Sequence, residues 1–297
     1  MNRRYGLVLC FFFLLSSGIP VPAQDFPLAL TDALDRTIVL RAPARRIVSL
    51  SPSVTEILFA VGAGDAVAGV TQYCNYPAEA ASKPKVGGFS GATVSIETIA
   101  ALRPDLVILS ADMHGRIVSL LDRIGIVSLA VEPRNFDEVY GLIAGIGRLT
   151  GKRAGAEAVL AEMREKLRRA GEQGRGRKAP RVFWELSANP LITAGGSSFI
   201  SEAIRLAGGE NIFGDLEEHW PEVNVEAVLR RRPDWIISAE TGDTRALLRS
   251  LARRPGWGSL PAVRAGRAAA IDPDSISRYG PRLADAVLIL AGIFYGE

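Results

Sequence analysis

The feature that most constrains this sequence is a segment that occurs twice, 129 residues apart. Residues 94–109 (VSIETIAALRPDLVIL) and 223–238 (VNVEAVLRRRPDWIIS) align without a gap, and Glu97 falls on Glu226. Helix–proline–strand connections resemble one another in many α/β proteins, which accounts for the shared proline and apolar run. This general similarity accounts less well for the matched glutamates. We therefore infer two related lobes, each built on the same α/β unit.

Short apolar runs alternate with amphipathic segments along most of the chain. The predicted strands are 46–50, 67–71, 105–109, 126–131, 182–186, 234–238 and 268–271, after two short strands within 30–40. The predicted helices are 54–61, 95–102, 115–124, 198–207, 225–230 and 282–294; the pattern Ser53-x-x-Glu56 reads as a capping box for the first. Such alternation predicts an α/β fold of two Rossmann-like lobes, each with a parallel sheet flanked by helices.

The alternation of strands and helices stops at residues 136–173. This segment contains no proline and carries apolar residues at helical spacing. They predict one very long helix, or two nearly collinear ones with Gly151 as a candidate kink. The predicted organisation is an N-terminal lobe (24–135), a linking helix (136–175) and a C-terminal lobe (176–297). Ligands bind beyond the carboxyl ends of strands in open parallel sheets, so two such edges predict a cleft between the lobes.

The N-terminus has the pattern of a secretory signal peptide. Arg3-Arg4 precedes an apolar run of 11 residues, 5–15, and a membrane-spanning helix needs about 18 or more. Val21-Pro22-Ala23 offers small residues for cleavage after Ala23. Cys10 lies within the apolar run after a leucine, which argues against a lipid-modified cysteine. We expect export to the periplasm with loss of 1–23.

Charge and cysteine content exclude several classes of partner and fold. Without the two arginines of the signal, 33 basic residues face 32 acidic ones, so no broad basic field remains for nucleic acid or an anionic membrane. Cys74 is the one cysteine left, so no intramolecular disulfide can form. The core must be stable without cross-links, and we expect a monomer.

Residues suited to catalysis are few. The histidines are His114 and His219, no G-x-S-x-G motif is present, and no cluster of His, Cys and acids forms a metal cage. Gly62-Ala63-Gly64 follows a predicted helix and lacks the third glycine of a dinucleotide loop, so it reads as a helix end. We expect no enzyme, catalytic residue or metal site. A secreted α/β enzyme using Cys74 remains a distant alternative, which predicts activity lost on thiol alkylation.

Aromatic and polar residues follow several predicted strands. Tyr73 and Phe89 lie in loops of the first lobe, Trp220 lies in the second, and 274–278 follow the last strand. Aromatic rings supply a large contact area at a small entropy cost. This set of residues predicts a cleft that grips a large, rigid ligand.

Several longer motifs add a family resemblance. They are Arg46–Glu56 (RIVSLSPSVTE), Gly69–Pro77 (GVTQYCNYP), Lys85–Phe89 (KVGGF), Gly208–Phe213 (GGENIF), Trp220-Pro221 and Ser277–Arg282 (SRYGPR). Together they resemble the periplasmic substrate-binding proteins of the helical-backbone class, which feed ABC importers and bind cobalamin, iron–siderophores or haem. The motifs look most like the cobalamin-binding branch.

The resemblance implies a role for individual residues. The positions matching ligand contacts are Tyr73, Phe89, Trp220, Asp274 and Arg278. Glu97 and Glu226 match paired glutamates that dock on arginines of the membrane permease. Cobalamin would be the transported ligand and not a catalytic cofactor.

The same resemblance leaves other ligands open. An iron–siderophore or haem carrier is the nearest alternative, and ligation of haem iron or cobalt by His114 or His219 is not settled by the sequence. An anionic siderophore would favour several Arg or Lys side chains in the cleft, where only Arg278 and Arg282 can be placed.

Overall fold

The computed structural model describes residues 26–239 and 243–296 of the 297-residue chain. The predicted signal peptide, 1–23, lies outside the described residues. Within them, no helix combines the length and the apolar character needed to cross a membrane.

The described elements alternate between strands and helices as the sequence predicts. The strands are β1 Leu28–Thr31, β2 Thr37–Leu40, β3 Ile47–Ser49, β4 Val67–Val70, β5 Leu106–Ser110, β6 Ser128–Val131, β7 Arg181–Ala188, β8 Leu191–Thr193, β9 Glu210–Asn211, β10 Trp235–Ser238 and β11 Ala268–Ala270. The helices are α1 Pro52–Ala60, α2 Ala78–Ala81, α3 Ile96–Ala101, α4 Ala111–Arg123, α5 Phe136–Leu149, α6 Arg153–Gln173, α7 Phe199–Leu206, α8 Val225–Arg231, α9 Thr244–Arg253, α10 Pro261–Arg264, α11 Pro273–Ile276 and α12 Arg282–Tyr295.

Each lobe is built around its own sheet. The N-terminal sheet is parallel with the strand order β4-β3-β5-β6, and the β1–β2 hairpin is attached beside it through the bond from the Ala33 amide to the Ala130 carbonyl. The C-terminal sheet has the order β11-β10-β7-β8, in which β8 is antiparallel and β9 pairs in parallel with the start of β7. The α/β fold of two lobes is therefore confirmed.

The repeated segment has the same conformation in both lobes. The Asp105 carboxylate accepts the backbone N–H of Arg46 at 3.0 Å, joining the start of β5 to the start of β3. In the same way, the Asp234 carboxylate accepts the N–H of Arg181 at 3.0 Å, joining β10 to β7. Each aspartate thus aligns a central strand with its parallel neighbour, which explains why the residue after the proline is acidic in both copies.

The matched backbone extends to the helices before these strands. Arg103 and Arg232 occupy equivalent positions and both adopt a left-handed conformation, with φ of 47° and 46°. The helices α3 and α8 also begin alike, because the side chains of Ser95 and Asn224 cap them by accepting a backbone N–H. Both lobes therefore use one helix–turn–strand unit.

The segment 136–173 differs from the sequence prediction. It forms two helices, α5 and α6, that fold back on each other. The guanidinium of Arg164 lies 5.5 Å from the ring of Tyr140, which a collinear pair would hold far apart. The expectation of one helix over this range, or two nearly collinear ones, is wrong. Gly151 reverses the chain with φ of +68°, a conformation that glycine adopts without steric cost.

The long helix α6 connects the two hydrophobic cores. Its first half buries Leu160 and Met163 in the N-terminal core, Ala170 lies in the C-terminal core, and Leu167 packs against both. Gly155 brings α6 against the end of α1, where a Cβ would lie 2.1 Å from the Val61 carbonyl oxygen. One 21-residue helix thus spans both lobes.

Candidate ligand-binding site

A cavity of about 380 Å³ lies between the lobes. Its N-terminal-lobe wall follows the carboxyl ends of β3, β5 and β6, and its C-terminal-lobe wall is the segment after β11. The lining residues are Leu50–Val54, Tyr73, Phe89, Ser110, Met113, His114, Val131–Pro133, Leu142, Asp274 and Ser277–Tyr279. The predicted position of the cleft at the strand carboxyl ends agrees with this lining.

A larger hollow, of about 690 Å³, lies on the N-terminal lobe beside α1. It is more open to solvent, and all of its lining residues come from that lobe. Because ligands of open parallel sheets bind beyond the carboxyl ends of the strands, we take the cavity lined by these ends and by both lobes as the candidate site.

Two aromatic rings form the outer part of the N-terminal wall. Tyr73 and Phe89 meet edge to face with their centroids 5.5 Å apart. Their exposed fractions are 50 % and 55 %, high values for large aromatic side chains. The structure therefore brings these two predicted residues together as half-exposed rings in the cavity wall.

The C-terminal wall continues into a second aromatic row. Tyr279, which lines the cavity, lies 4.6 Å from the ring of Phe199, and Phe199 lies 5.8 Å from the ring of Trp220. Trp220 does not line the cavity itself, but it extends the row outward and is 40 % exposed. Tyr279 and Phe199 are additions to the residues predicted from sequence.

The two predicted polar contacts, Asp274 and Arg278, bind each other. Their side chains form an ion pair of 2.7 Å, and Arg278 also lies 3.0 Å from the Glu56 carboxylate. Asn75 joins the same network, since its side chain donates to Asp274 and accepts from Arg278. Arg278 therefore has three protein partners before any ligand arrives.

Glu56 is the centre of this network across the cleft. Its carboxylate accepts bonds of 2.6 and 3.0 Å from Arg282, in addition to the one from Arg278. The prediction that Glu56 closes a capping box with Ser53 is wrong, because α1 begins at Pro52 after Ser51 and has no side-chain cap. The bond from Glu56 raises the pKa of Arg282 above its usual range. We call Glu56, Arg278 and Arg282 the interlobe clamp.

The charge lining the cavity is weakly negative. Of the described residues that line it, Arg278 alone carries a permanent positive charge, whereas Glu132 and Asp274 are acids. Burial, with a smaller contribution from Glu132, raises the pKa of Tyr279 to about 12, so its hydroxyl stays protonated near neutral pH. The site therefore lacks the concentration of positive charge that a strongly anionic ligand requires.

The two histidines have different environments. His114 lines the cavity with an exposed fraction of 2 %, and neither ring nitrogen has a hydrogen-bond partner. Burial lowers its pKa, and the Ser110 backbone partly offsets that effect. His219 is exposed, and its Nδ1 lies 3.4 Å from the Ser197 hydroxyl.

Cys74 lies in the N-terminal core and is fully buried. Its sulfur lies 3.1 Å from the Thr55 hydroxyl and 3.3 Å from the Thr71 hydroxyl. These hydroxyls are not general bases, and the burial gives no path for a substrate. The geometry gives no support to a nucleophilic role for this thiol.

The matched glutamates are exposed at equivalent positions. Glu97 and Glu226 are each the second residue of their helix, α3 and α8, one in each lobe. An acid there is favoured by the helix dipole. Both side chains are exposed to solvent, and the Glu97 carboxylate accepts a hydrogen bond of 3.1 Å from the Ser95 hydroxyl.

Comparison with known proteins identifies the family of this chain. Residues 47–275 match the model of a family described as periplasmic binding protein. The chain belongs to this family. It is also 31 % identical to an uncharacterized ABC transporter substrate-binding lipoprotein of Bacillus subtilis, over 100 % of this chain and 99 % of that protein. It is thus an ABC substrate-binding protein, and the family is a class of solute-binding proteins.

Two solved structures of the family are informative about fold and ligand. The periplasmic vitamin B12 binding protein BtuF of Vibrio cholerae is 30 % identical with a TM-score of 0.72, covering 85 % of this chain and 97 % of that one. The periplasmic heme-binding protein BhuT, solved with two hemes, is 26 % identical with a TM-score of 0.74, covering 86 % and 98 %. The structural likeness therefore does not separate the two ligand classes.

Proposed function

We propose that this protein captures a corrinoid of the cobalamin type in the interlobe cleft and delivers it to an ABC permease. The observation that carries the proposal is the combination of exposed aromatic faces with a nearly uncharged cleft. Arg278 is already neutralised by Glu56 and Asp274. A macrocycle with amide substituents fits such a surface, because ring faces and shape bind it without ion pairs. The likeness to a vitamin B12 binding protein supports the same ligand.

The delivery step would use the matched glutamates of the repeated segment, one in each lobe. Glu97 and Glu226 are the proposed docking residues, one for each half of the permease. The protein acts as a periplasmic monomer, with its signal peptide removed after Ala23, and has no catalytic role. Neither nucleic acid nor a membrane surface is needed as a partner.

A haem or iron–siderophore carrier is the second candidate. It is supported by the likeness to the heme-binding protein and by side chains in the cavity wall that bind haem iron in other proteins, namely histidine, methionine and tyrosine. The charge of the cleft weighs against it. Haem carries propionates and many siderophores are anionic, whereas the cleft lining contains two acids and one neutralised arginine.

A calorimetric titration of the purified protein tests the ligand. Cyanocobalamin is expected to bind one to one with micromolar or tighter affinity, while haemin and ferric siderophores added in parallel give no saturable heat. Uptake of haem or an iron chelate without corrinoid binding would reject the proposed ligand and retain the carrier function.

Replacing Trp220 by alanine is expected to weaken cyanocobalamin binding by about 1–3 kcal/mol, which is typical for the loss of a hot-spot aromatic side chain. This corresponds to roughly five- to 150-fold in Kd. Ile289→Ala is the control, since it removes another exposed apolar side chain, from α12. Equal affinities of the Trp220 variant and the control would remove Trp220 from the site.

A further inference from the structure

His114 combines burial with unused hydrogen-bonding capacity. Both ring nitrogens are shielded from solvent and have no partner at hydrogen-bond distance and angle, although the ring forms part of the cavity wall. The Ser110 backbone interacts with the ring only weakly and does not outweigh the effect of burial on its pKa. A buried polar atom without a partner costs about 1–3 kcal/mol, and such atoms are rare in folded proteins. Since the ring borders the cleft, a bound ligand is the group best placed to supply the missing partner.

The chemistry of this ring suits a metal ion. Burial disfavours the charged imidazolium and lowers its pKa, so one nitrogen keeps its lone pair at neutral pH. Neutral imidazole is the commonest protein ligand for metals. The Glu132 carboxylate, bound at 2.7 Å to the Ser110 hydroxyl on the same wall, adds negative charge that favours a cation.

Other metal-binding side chains of the wall are less suitable. Tyr279 would have to lose its proton, and its pKa of about 12 opposes that. Tyr73 is half-exposed at the outer part of the cleft and packs against Phe89. Met113 is next to His114 on α4, but it is a soft thioether and 37 % exposed.

We propose that His114 supplies a nitrogen ligand to the cobalt of a bound corrinoid whose lower axial position is open. The inference rests on the proposed function, because the metal belongs to the cargo. It adds a preference within that class: corrinoids lacking a coordinated nucleotide base, such as cobinamide, are held by a bond to the protein as well as by ring contacts.

The coordination step exchanges one neutral ligand for another. A ring nitrogen of His114 donates its lone pair to Co(III), the Co–N bond forms, and the bound water leaves with its own electron pair. The oxidation state of cobalt does not change. Because solvent does not reach the nitrogens in the free cleft, the exchange occurs as the seated macrocycle displaces the side chains that cover the ring. Cyanocobalamin has both axial positions filled and binds without this bond.

The test compares aquacobinamide with cyanocobalamin on the wild-type protein and on His114→Ala. Aquacobinamide is expected to show a shift of its visible absorption bands on binding to the wild type, matching the change caused by free imidazole. His114→Ala should abolish this shift and weaken aquacobinamide binding at least tenfold more than it weakens cyanocobalamin binding. His219→Ala, the other histidine of the chain outside the signal, is the matched control and should behave as the wild type.

A second measurement needs no variant. The Co(II) cobinamide complex of the wild type should give an electron paramagnetic resonance spectrum split into triplets by an axial nitrogen, and into doublets when the protein carries ¹⁵N-histidine. Cobinamide that binds with the spectrum of its aqueous form would overturn the role of His114 and leave the proposed function intact. If neither cobinamide nor cyanocobalamin binds, both the role of His114 and the proposed function are overturned.

Discussion

Replacing Glu56 by alanine is expected to lower the free energy of unfolding by about 3 kcal/mol. Removing one partner of a buried ion pair costs about 3–5 kcal/mol, because the remaining charge is left uncompensated. Glu56 is 3 % exposed and faces Arg278 and Arg282. We expect the lower end of the range, since both arginine side chains keep some contact with water and with other acids.

Urea denaturation followed by circular dichroism measures this effect. Glu56→Gln should fall between the wild type and Glu56→Ala, because the amide keeps the shape and loses the charge. Glu165→Ala is the control, since it removes an exposed acid from an ion pair with Arg168 on the surface of α6. Surface pairs of this kind contribute little, so its midpoint should not move. Equal midpoints of the Glu56 and Glu165 variants would show that the interlobe clamp does not stabilise the fold.

Reversing both docking charges, Glu97→Arg with Glu226→Arg, is expected to abolish ligand uptake through the permease and leave ligand binding unchanged. Truncating one partner of a buried, hydrogen-bonded charge pair typically costs about 2–5 kcal/mol. A single alanine substitution should therefore weaken docking by roughly 30-fold or more. The double reversal adds repulsion between like charges.

Uptake into proteoliposomes containing the permease measures docking, and calorimetry on the free protein measures ligand binding. Glu157→Arg with Glu165→Arg is the matched control, because it makes the same change of charge at exposed positions of α6. Normal uptake by the Glu97/Glu226 variant would remove both residues from the interface. Loss of uptake in the control as well would show that net charge, and not these positions, governs delivery.

The interlobe clamp shows where local sequence reasoning fails. Ser53-x-x-Glu56 fits a capping box, and nothing nearby in the chain indicates another partner for Glu56. Its partners, Arg278 and Arg282, are more than 220 residues away. The pairing exists because the segment after β11 crosses to the N-terminal lobe. The family resemblance implies a ligand contact for Arg278, which lines the cavity and also binds Glu56, Asp274 and Asn75.

The α5–α6 hairpin shows a second limit. Apolar residues at helical spacing identify helix over 136–173, but spacing does not give the angle between consecutive helices. Three residues around Gly151 decide it, together with contacts such as that of Tyr140 with Arg164. The linking role then falls mainly to α6, since most of α5 packs in the core of the N-terminal lobe and only its first residue, Phe136, lies in the C-terminal core.

The sequence by itself determined the two related α/β lobes, the strand-end position of the cleft and the paired glutamates. These follow from local physics: the period of apolar residues sets element type, and parallel strands bring their carboxyl ends to one edge. Tertiary structure alone decided the interlobe clamp, the helix hairpin, the second aromatic row from Tyr279 to Trp220, and the burial of His114 without a partner. Those features depend on contacts between residues distant in the chain, which no local pattern encodes.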